Sequence, residues 1–522
     1  MTFRELLEKR AERDGTQPFV YFRDEVLTFA ALERKVNRAA NALLELGVKR
    51  GDHVCLFLPN CLEFLYLWFA LAKIGGVMVP LNVHLRGEGL SYIINHCDAK
   101  WIVLDEALYE AYAFVEKDLK GIVQRVWHGN AAPPNGFHDL ADLMASAKEG
   151  APLPVSVGDG DPLGIIYTSG TTGPPKGAMI SHFNYLNTGQ VWAEDLVACG
   201  EDDIFFTTLP LFHANAQMFT TMGSLRSGRP YVLREKFSAS RFFDEIRECG
   251  ATVFNYIGGM LTMLMKQPER EDDGDNPARA AFGGAAPREL WREFEKRFRV
   301  TIVEGYGLTE SGGVCLCNPP QAIKVGSIGK PTRFCEVAIW NEENKAIPPG
   351  ETGEIVVRET VPHAMFQGYY KQPDKTQEAW AGGWFHTGDR GYQDKDGYFY
   401  FVDRMKDCIR RRGENISSFQ VEKVINSHPK ILECAAVAVP AELGEDDVKV
   451  FVVLRPGETL DPAELIRFCE ERMAYFMVPR YLEVIDGLPK TPTERVQKFE
   501  LRKKGVGEAW DREKAGYRLK RV

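Results

Sequence analysis

Apolar and polar positions along this chain switch repeatedly between the helical and the strand period. In the helical segments apolar residues recur every three or four positions, for example at Leu32, Val36 and Leu43. Short unbroken apolar runs lie between these segments and predict buried strands, and such alternation is typical of layered α/β folds. Helices are predicted at 2–13, 28–46, 61–73, 184–197, 238–249 and 462–473, and strands at 52–58, 75–80, 101–104, 163–167, 203–209, 253–257, 353–358, 397–402, 434–439 and 448–454.

The pattern also divides the chain into two units of unequal size. Residues 128–160 are rich in Gly, Pro, Ala and Asp and are predicted to be a connector, and strands and turns dominate from Gly353 onwards. A change of composition near Asp403 marks a smaller unit of domain size. We predict a large N-terminal domain at 1–402, made of layered α/β sheets with a small β-rich part. A hinge at 403–406 and a smaller, mobile α+β C-terminal domain at 407–522 would follow.

Composition narrows the class of protein. The chain has 522 residues, and 64 Lys and Arg against 73 Asp and Glu give a net charge of −9, which argues against a general nucleic-acid binder. Its 11 cysteines form no Cys-x-x-Cys pair, so we expect free thiols in a reducing compartment. The N-terminus lacks the apolar core of a signal peptide, and the longest apolar run, 64–72, is about half of the ~20 residues that a membrane span needs. We expect a cytoplasmic protein with no transmembrane segment.

One loop carries the clearest chemistry. An apolar strand runs into Gly and Pro residues that end it, so the loop's backbone N–H groups, its hydroxyls and one lysine can surround an anion. The order is not that of a Walker A loop, because Pro175 precedes Lys176 and Gly177 follows it. The alternative is a flexible surface loop, but the order of its residues favours a phosphate-binding loop. Its members are Thr168, Ser169, Gly170, Thr171, Thr172, Gly173 and Lys176.

The segment Tyr167-Thr-Ser-Gly-Thr-Thr-Gly-Pro-Pro-Lys-Gly177 resembles the signature of the adenylate-forming superfamily. That superfamily contains acyl-CoA synthetases, firefly luciferase and the adenylation domains of peptide synthetases. Segments similar to its later motifs follow in the same order, at 209–213, 282–287, 304–310, 384–389 and 403–416. The end of the chain looks like bacterial acyl-CoA ligases of the carnitine/crotonobetaine-CoA ligase-like branch. The resemblance covers nearly the whole chain.

The resemblance implies roles for particular residues. Tyr306 would stack on adenine, Thr309 would contact the AMP phosphate, and Asp389 and Arg404 would contact the ribose. Glu310 would help to hold Mg²⁺, since a hard dication prefers carboxylate oxygen. Beyond the loop, the implied ATP-binding residues are Gly284, Ala285, Ala286, Glu304, Gly305, Tyr306, Gly307, Leu308, Thr309, Asp389 and Arg404. The implied acyl pocket is His213, Asn255, Gly283, Gly307 and Gly312, the CoA contacts are Gly413, Glu414 and Asn415, and the hinge pivot is Lys406.

The last motif departs from the superfamily pattern. Related enzymes usually end in Pro-Lys-Thr-x-Ser/Thr-Gly-Lys, whose final lysine reaches the α-phosphate, but here Glu494 and Arg495 replace Gly-Lys. Arg keeps the charge yet differs in shape and hydration. Lys498 lies three residues further on, and we slightly prefer it to Arg495 because it is a lysine. Lys498, Arg495, Glu310 and His213 are thus the expected catalytic residues.

The expected reaction is AMP-forming acyl-CoA synthesis from a small carboxylic acid, ATP and CoA, with Mg²⁺, in fatty-acid or organic-acid metabolism. Ala214, Asn215 and Ala216 stand where amino-acid-activating relatives typically carry Asp, which counts against an amino-acid substrate. Two alternatives stay open: an adenylating enzyme that loads a carrier protein in trans, and a nucleotide-binding protein with lapsed catalysis. We expect no nucleic-acid partner, and a homodimer is an open possibility.

Overall fold

A computed structural model describes residues 2–168, 174–404, 407, 409–411, 414–441, 446–473, 475, 477–490 and 496–519. Its strands are β1 (Pro18–Phe22), β2 (Glu25–Thr28), β3 (His53–Phe57), β4 (Val77–Pro80), β5 (Trp101–Asp105), β6 (Gln124–His128), β7 (Phe137–Asp139), β8 (Pro162–Thr168), β9 (Lys176–Ser181), β10 (Phe205–Thr207), β11 (Tyr231–Leu233), β12 (Val253–Ile257), β13 (Ala280–Gly284), β14 (Thr301–Tyr306), β15 (Leu316–Cys317), β16 (Lys330–Pro331), β17 (Cys335–Trp340), β18 (Gly353–Glu359), β19 (Phe385–Gln393), β20 (Phe399–Arg404), β21 (Ile409–Arg411), β22 (Glu414–Ile416), β23 (Ile431–Pro440), β24 (Asp446–Leu454), β25 (Tyr481–Val484) and β26 (Trp510–Asp511).

The α-helices are α1 (Phe3–Arg13), α2 (Phe29–Glu45), α3 (Leu62–Ile74), α4 (Gly87–His96), α5 (Tyr109–Val115), α6 (Leu140–Ser146), α7 (His182–Val191), α8 (Met222–Ser227), α9 (Phe242–Cys249), α10 (Gly258–Met265), α11 (Arg288–Phe298), α12 (Pro373–Ala379), α13 (Ser418–Asn426), α14 (Pro462–Glu470) and α15 (Lys498–Lys503). Short 3-10 turns lie at Glu106–Leu108, Glu116–Asp118 and Ala381–Gly383, and π-helical turns at Trp192–Leu196 and Asn215–Thr221.

Two large sheets organise the longer, N-terminal part of the chain. One has seven strands in the order β7-β6-β5-β3-β4-β8-β9, and the other has nine in the order β16-β15-β14-β13-β12-β10-β11-β1-β2. Their central strands run parallel. Parallel strands are covered by helices on both faces, which explains why their sequences are short unbroken apolar runs. Helix α3 is buried on nearly every side and shares one hydrophobic core with strands of both sheets.

Two smaller parts follow. The antiparallel sheet β17-β18-β19-β20 is the β-rich part that the sequence predicts, and its last two strands carry Asp389 and Arg404. Beyond it, hairpin β21–β22, sheet β23-β24-β25-β26 and helices α13 to α15 enclose hydrophobic clusters of their own. The predicted fold class, a large layered α/β part with a smaller α+β part, is confirmed.

Three local predictions made from the sequence differ from the structure. The predicted connector 128–160 contains β7 and α6, because the Asp139 carboxylate accepts backbone N–H groups of the first turn of α6 and Leu140 is buried. The predicted helix 238–249 begins only at Phe242, after a turn. The predicted helix 184–197 starts two residues earlier, at His182, and ends at Val191, where a π-helical turn replaces it.

Two expectations about the whole chain can be compared with the described residues. The cysteines that the structure describes are free, and most are buried. Within the described ranges, no helix is both long enough and apolar enough to cross a membrane.

Candidate active site

The predicted phosphate-binding loop connects two antiparallel strands. Strand β8 ends at Thr168 and β9 begins at Lys176, and these two residues face each other in register. The loop therefore leaves and re-enters the sheet at one point, at the carboxyl end of β8. Ser169, Gly170, Thr171, Thr172 and Gly173 lie outside the described residues.

Thr168 and Glu310, which are 142 positions apart in the chain, meet at this point. The Thr168 hydroxyl donates a hydrogen bond to Glu310 Oε1 over 3.2 Å. The Tyr369 hydroxyl donates to the same oxygen over 3.0 Å, and the Glu310 side chain is buried. The structure thus places the predicted magnesium ligand in contact with Thr168, the first residue of the predicted phosphate-binding loop.

Tyr369 is a site residue that the sequence analysis missed. Its ring lies 4.0 Å from Lys176 Nζ, so it contacts both the loop lysine and Glu310. Burial raises the pKa of its phenol, which therefore stays protonated and donates. Gly368 and Tyr370 form backbone hydrogen bonds with β9, which fixes the position of this tyrosine. No spacing rule links such an irregular segment to a strand nearly 190 residues earlier, so the sequence carried no signal for it.

A second group of predicted residues meets where β14 approaches β19. The Tyr306 hydroxyl donates to Asp389 Oδ2 over 2.7 Å, and Asp389 is buried. Asp389 faces Arg404 in the β19–β20 register. The predicted adenine and ribose contacts therefore share one region. The side chain of Arg404 lies outside the described part of the structure.

The side chain of Glu304 contacts the backbone of the predicted adenine loop, residues 284–286. Its carboxylate accepts the backbone N–H of Ala285 over 2.6 Å and that of Ala286 over 3.1 Å, and it also accepts the Tyr256 hydroxyl. Ala285 has a φ of +67°, which a non-glycine residue adopts only when its surroundings hold it there. Burial raises the Glu304 pKa to about 7. The Glu304 side chain therefore helps to fix the shape of loop 284–286 by accepting two of the loop's backbone N–H groups.

The predicted acyl-pocket residues occupy neighbouring strands and turns. The Asn255 side chain on β12 is buried and donates to Asn215 Oδ1 over 2.7 Å. The ring of His213 packs against that of Phe212, with centroids 4.5 Å apart. Asn215, one of the residues that stand where amino-acid-activating relatives carry Asp, thus contacts the predicted pocket residue Asn255.

One steric reason explains why glycine occupies the three predicted pocket positions. A Cβ at Gly283 would lie 2.1 Å from the Tyr256 carbonyl oxygen, and one at Gly307 would lie 2.2 Å from that of Gly313. Gly312 has a φ of +79°, and a Cβ there would lie 2.3 Å from the Ala364 carbonyl oxygen. Glycine is needed at these positions because the backbone segments approach closely.

Lys498 lies inside the C-terminal unit. Its Nζ is 2.7 Å from Glu422 Oε1 and donates to the Ser418 hydroxyl oxygen over 2.6 Å. Ser418 in turn donates from its hydroxyl and its backbone N–H to Asp403 Oδ2. Burial by itself would lower the Lys498 pKa, but the nearby carboxylates raise it overall. The lysine is therefore a charged member of a buried network.

The structure describes only some of the remaining predicted site residues. Glu414 and Asn415 lie in β22, opposite Arg411 and Arg410, and their side chains are not among the described ones. Gly305, Leu308 and Thr309 lie at the end of β14 and in the turn after it. Lys406, Gly413 and Arg495 lie outside the described residues.

Comparison with known proteins identifies the family. Residues 7–370 match the family described as AMP-binding enzyme, and residues 420–495 match the AMP-binding enzyme C-terminal domain. The chain is 36% identical over 480 residues to crotonobetaine/carnitine–CoA ligase of Salmonella enteritidis, which covers 91% of this chain and 93% of that protein. This chain belongs to the AMP-binding enzyme family.

Solved structures agree with this assignment. The anthranilate CoA ligase AuaEII, in complex with anthranoyl-AMP, superposes with a TM-score of 0.89 at 26% identity, covering 96% of this chain and 97% of that one. ATP-bound MatB from Rhodopseudomonas palustris gives a TM-score of 0.86 at 27% identity, covering 96% and 99%. Both similarities extend over almost the full length of the chain.

Proposed function

We propose that this AMP-forming acyl-CoA ligase activates a small carboxylic acid with ATP and transfers the acyl group to CoA. In the first step a carboxylate oxygen attacks the α-phosphorus of ATP, and the bond to pyrophosphate breaks. In the second step the CoA sulfur attacks the acyl carbon, its proton is lost, and AMP leaves. The observation that carries the proposal is the meeting of Thr168, Lys176 and Glu310 at one end of strand β8 in a chain of this family.

The roles on the phosphate side follow from charge and geometry. Loop residues 168–173 and Lys176 bind the β- and γ-phosphates and then hold the leaving pyrophosphate. Glu310 has the carboxylate chemistry that Mg²⁺ prefers, and Thr168 and Tyr369 fix its orientation. When bound there, Mg²⁺ would neutralise charge on the phosphates. The chain itself supplies positioning and positive charge.

The roles on the nucleoside side use the second group of residues. Gly284, Ala285 and Ala286 lie against the base, and Glu304 supports that loop from behind through two backbone N–H groups. Tyr306 stacks on adenine, and Asp389 and Arg404 bind the ribose hydroxyls. The Tyr306–Asp389 hydrogen bond supports this assignment, because it holds both groups in one place.

The cation at the α-phosphate is better assigned to Arg495 than to Lys498. For Lys498 to reach the nucleotide it would have to leave Glu422 and Ser418, and separating a buried ion pair is costly. Lys498, which the sequence slightly favoured, is therefore assigned a structural role. Arg495 also occupies the position of the superfamily lysine.

The proposal also includes the division into two domains and the second half-reaction. The N-terminal domain spans 1–402 and the C-terminal domain 407–522, and the latter rotates about Lys406 between the two steps. Gly413, Glu414 and Asn415 then face the acyl site beside CoA. A cytoplasmic location and a homodimer stay predictions.

The acid enters a pocket formed by His213, Asn255 and the three glycines. Within the described structure, Asn255 Oδ1 is buried and has no hydrogen-bond partner. Since buried polar atoms are normally satisfied, this oxygen favours an acid that carries a hydrogen-bond donor. His213, Gly283, Gly307 and Gly312 would shape the rest of the pocket.

A pyrophosphate-release screen over carboxylic acids, with and without CoA, tests the proposal. We expect release with at least one acid and thioester formation only when CoA is present. Release with transfer only to a phosphopantetheine carrier protein would favour the carrier-loading alternative. ATP binding without acid-dependent release would favour lapsed catalysis and would refute the ligase assignment.

A further inference from the structure

A second cluster of ligand-type side chains lies at the carboxyl edge of the seven-stranded sheet. Asp105 ends β5 and His128 ends β6, and the two residues are in register on adjacent parallel strands. Cys61 and Glu63 lie at the start of α3, which follows the neighbouring strand β3. Three adjacent strands thus bring a thiol, an imidazole and two carboxylates to one edge.

The topology makes this edge a natural site for a ligand. Strand β4 pairs with β3 on one side, and the next strand of the chain, β5, pairs with β3 on the other side. The chain therefore changes direction at β3. In open α/β sheets, ligands bind in the crevice that such a reversal leaves outside the carboxyl ends of the strands.

The distances fit a metal ion after a small contraction. Ligand atoms of Cys61, Glu63 and His128 all lie within 4.8 Å of one another. His128 Nε2 is 3.7 Å from Glu63 Oε2 and 3.8 Å from Asp105 Oδ2. Tetrahedral zinc bonds of ~2.0 Å to N and O and ~2.3 Å to S place ligand atoms about 3.3–3.5 Å apart. The two separations measured from His128 Nε2 exceed this range by only about 0.2–0.5 Å.

His128 forms no hydrogen bond to Glu63 or Asp105. Separations of 3.7 and 3.8 Å are too long for hydrogen bonds, so the imidazole faces two carboxylates without bonding either. The Ala107 N–H holds Asp105 through Oδ1, while Oδ2 points to His128. Cys61 is buried at the N-terminus of α3, two positions before Glu63.

We infer that Cys61, Glu63 and His128 bind a zinc ion, and that Asp105, 3.8 Å from His128 Nε2, moves towards the ion as the fourth ligand. A thiolate, an imidazole and carboxylates together form a donor set that suits Zn²⁺ better than Mg²⁺ or Ca²⁺. The side chains of Glu63 and His128 are 32% and 25% exposed, which leaves a path for the ion to enter. Cys61 forms the buried end of the site.

Zinc binds cysteine as the thiolate, so the thiol proton is released as the Zn–S bond forms. The ion would also connect the start of α3 to β5 and β6. The neighbouring Asn60 accepts the backbone N–H of Leu211 over 2.7 Å and donates to Leu209 O over 3.1 Å. The site would thus stabilise the segment that leads to His213.

The test uses the full-length, nucleotide-free protein after treatment with a chelator. We expect one equivalent of Zn²⁺ to bind per chain, and Co²⁺ to bind with a thiolate-to-cobalt charge-transfer band and strong tetrahedral ligand-field absorption. Cys61→Ser should remove the charge-transfer band, and His128→Ala should lower the affinity at least tenfold. Glu63→Gln, which keeps the side-chain shape, should weaken binding while the far-ultraviolet circular dichroism is unchanged.

Cys249→Ser and His138→Ala serve as matched controls. Cys249 is a half-buried thiol nearly 190 positions from Cys61, and His138 is an exposed histidine whose Nε2 contacts Gln124 Oε1 at 2.9 Å. Both variants should bind Zn²⁺ like the parent protein. Zinc should also raise the thermal transition of the parent and of the controls, but not that of Cys61→Ser. Absence of a charge-transfer band in the parent, or equal zinc affinity in parent and Cys61→Ser, would overturn the inference and leave an ordinary histidine–carboxylate cluster.

Discussion

Replacing Lys498 by methionine separates a structural role of this lysine from a catalytic one. Methionine keeps most of the apolar stem and removes the charge. The Glu422 carboxylate then loses its partner at 2.7 Å and keeps the backbone N–H of Ala436 as a hydrogen-bond donor. We expect the C-terminal unit to lose stability while acyl-adenylate formation by the folded protein changes only a few-fold.

The magnitude follows from the burial of the pair. Removing one member of a buried ion pair lowers the free energy of unfolding by about 3–5 kcal/mol. The side chains of Lys498 and Glu422 are 13% and 15% exposed, so the pair is nearly fully buried. We expect the lower end, about 3 kcal/mol, which is roughly a hundredfold in the equilibrium for local opening. Because the Lys498 pKa is raised, the contribution of the lysine is present at neutral pH and is lost as the pH rises past the usual lysine range. Burial raises the pKa of Glu422, so ionising this carboxyl offsets part of that contribution.

Hydrogen exchange measures the local opening, and ATP–pyrophosphate exchange measures adenylation. Peptides covering α13, β23 and α15 should exchange faster in Lys498→Met. Lys503→Met on the same helix should match the parent, because that lysine is exposed. A double change of Lys498→Met with Glu422→Leu should recover much of the lost stability, since no unpaired charge remains.

Arg495→Ala should give the opposite result. It should abolish most acid-dependent pyrophosphate exchange and leave hydrogen exchange in α13 and α15 unchanged. If Lys498→Met removed adenylation while its exchange rates matched the parent, the lysine would be the catalytic cation and this reasoning would be refuted.

Three further predictions concern the N-terminal part. Tyr369→Phe keeps the ring beside Lys176 but removes a hydrogen bond to Glu310, so activity at limiting Mg²⁺ should fall up to about tenfold and recover at high Mg²⁺. Gly283→Ala should lower the free energy of unfolding by about 1–3 kcal/mol, because its Cβ would meet a carbonyl oxygen, whereas Gly259→Ala meets nothing within 4 Å and should not. Glu304 has a pKa raised from 4.5 to about 7, so stability should fall by up to about 3 kcal/mol as the pH rises from 4.5 to 7, and Glu304→Gln should flatten that slope in urea titrations. A steep slope that persists in the variant would contradict the assignment to Glu304.

The layered fold could be predicted from the sequence because buried strands have local signals, and apolar runs such as 52–58 correspond to them. The predicted site motifs are local signals as well, and Thr168, the first residue of the predicted phosphate-binding loop, contacts Glu310. Tyr369 could not be found this way, because its place depends on backbone pairing between an irregular segment and β9. The partner of Lys498 was equally hidden, since Glu422 lies 76 positions away on another helix.

Helix α6 shows a different limit. Its seven residues follow a stretch rich in Gly and Pro, and only the Asp139 cap and two buried side chains distinguish it from a loop. Such a short helix depends on tertiary packing more than on its own sequence. The zinc cluster depends on packing as well, because Cys61 and His128 meet only when β3, β5 and β6 align.

The central claim is that this chain joins a carboxylic acid to CoA by way of an acyl-adenylate. Product analysis by mass spectrometry, with the acid selected by pyrophosphate release together with ATP, Mg²⁺ and CoA, tests it most directly. We expect equal amounts of acyl-CoA, AMP and pyrophosphate, with acyl-AMP as the product when CoA is omitted. Formation of ADP and phosphate, or of acyl-CoA without AMP, would contradict it.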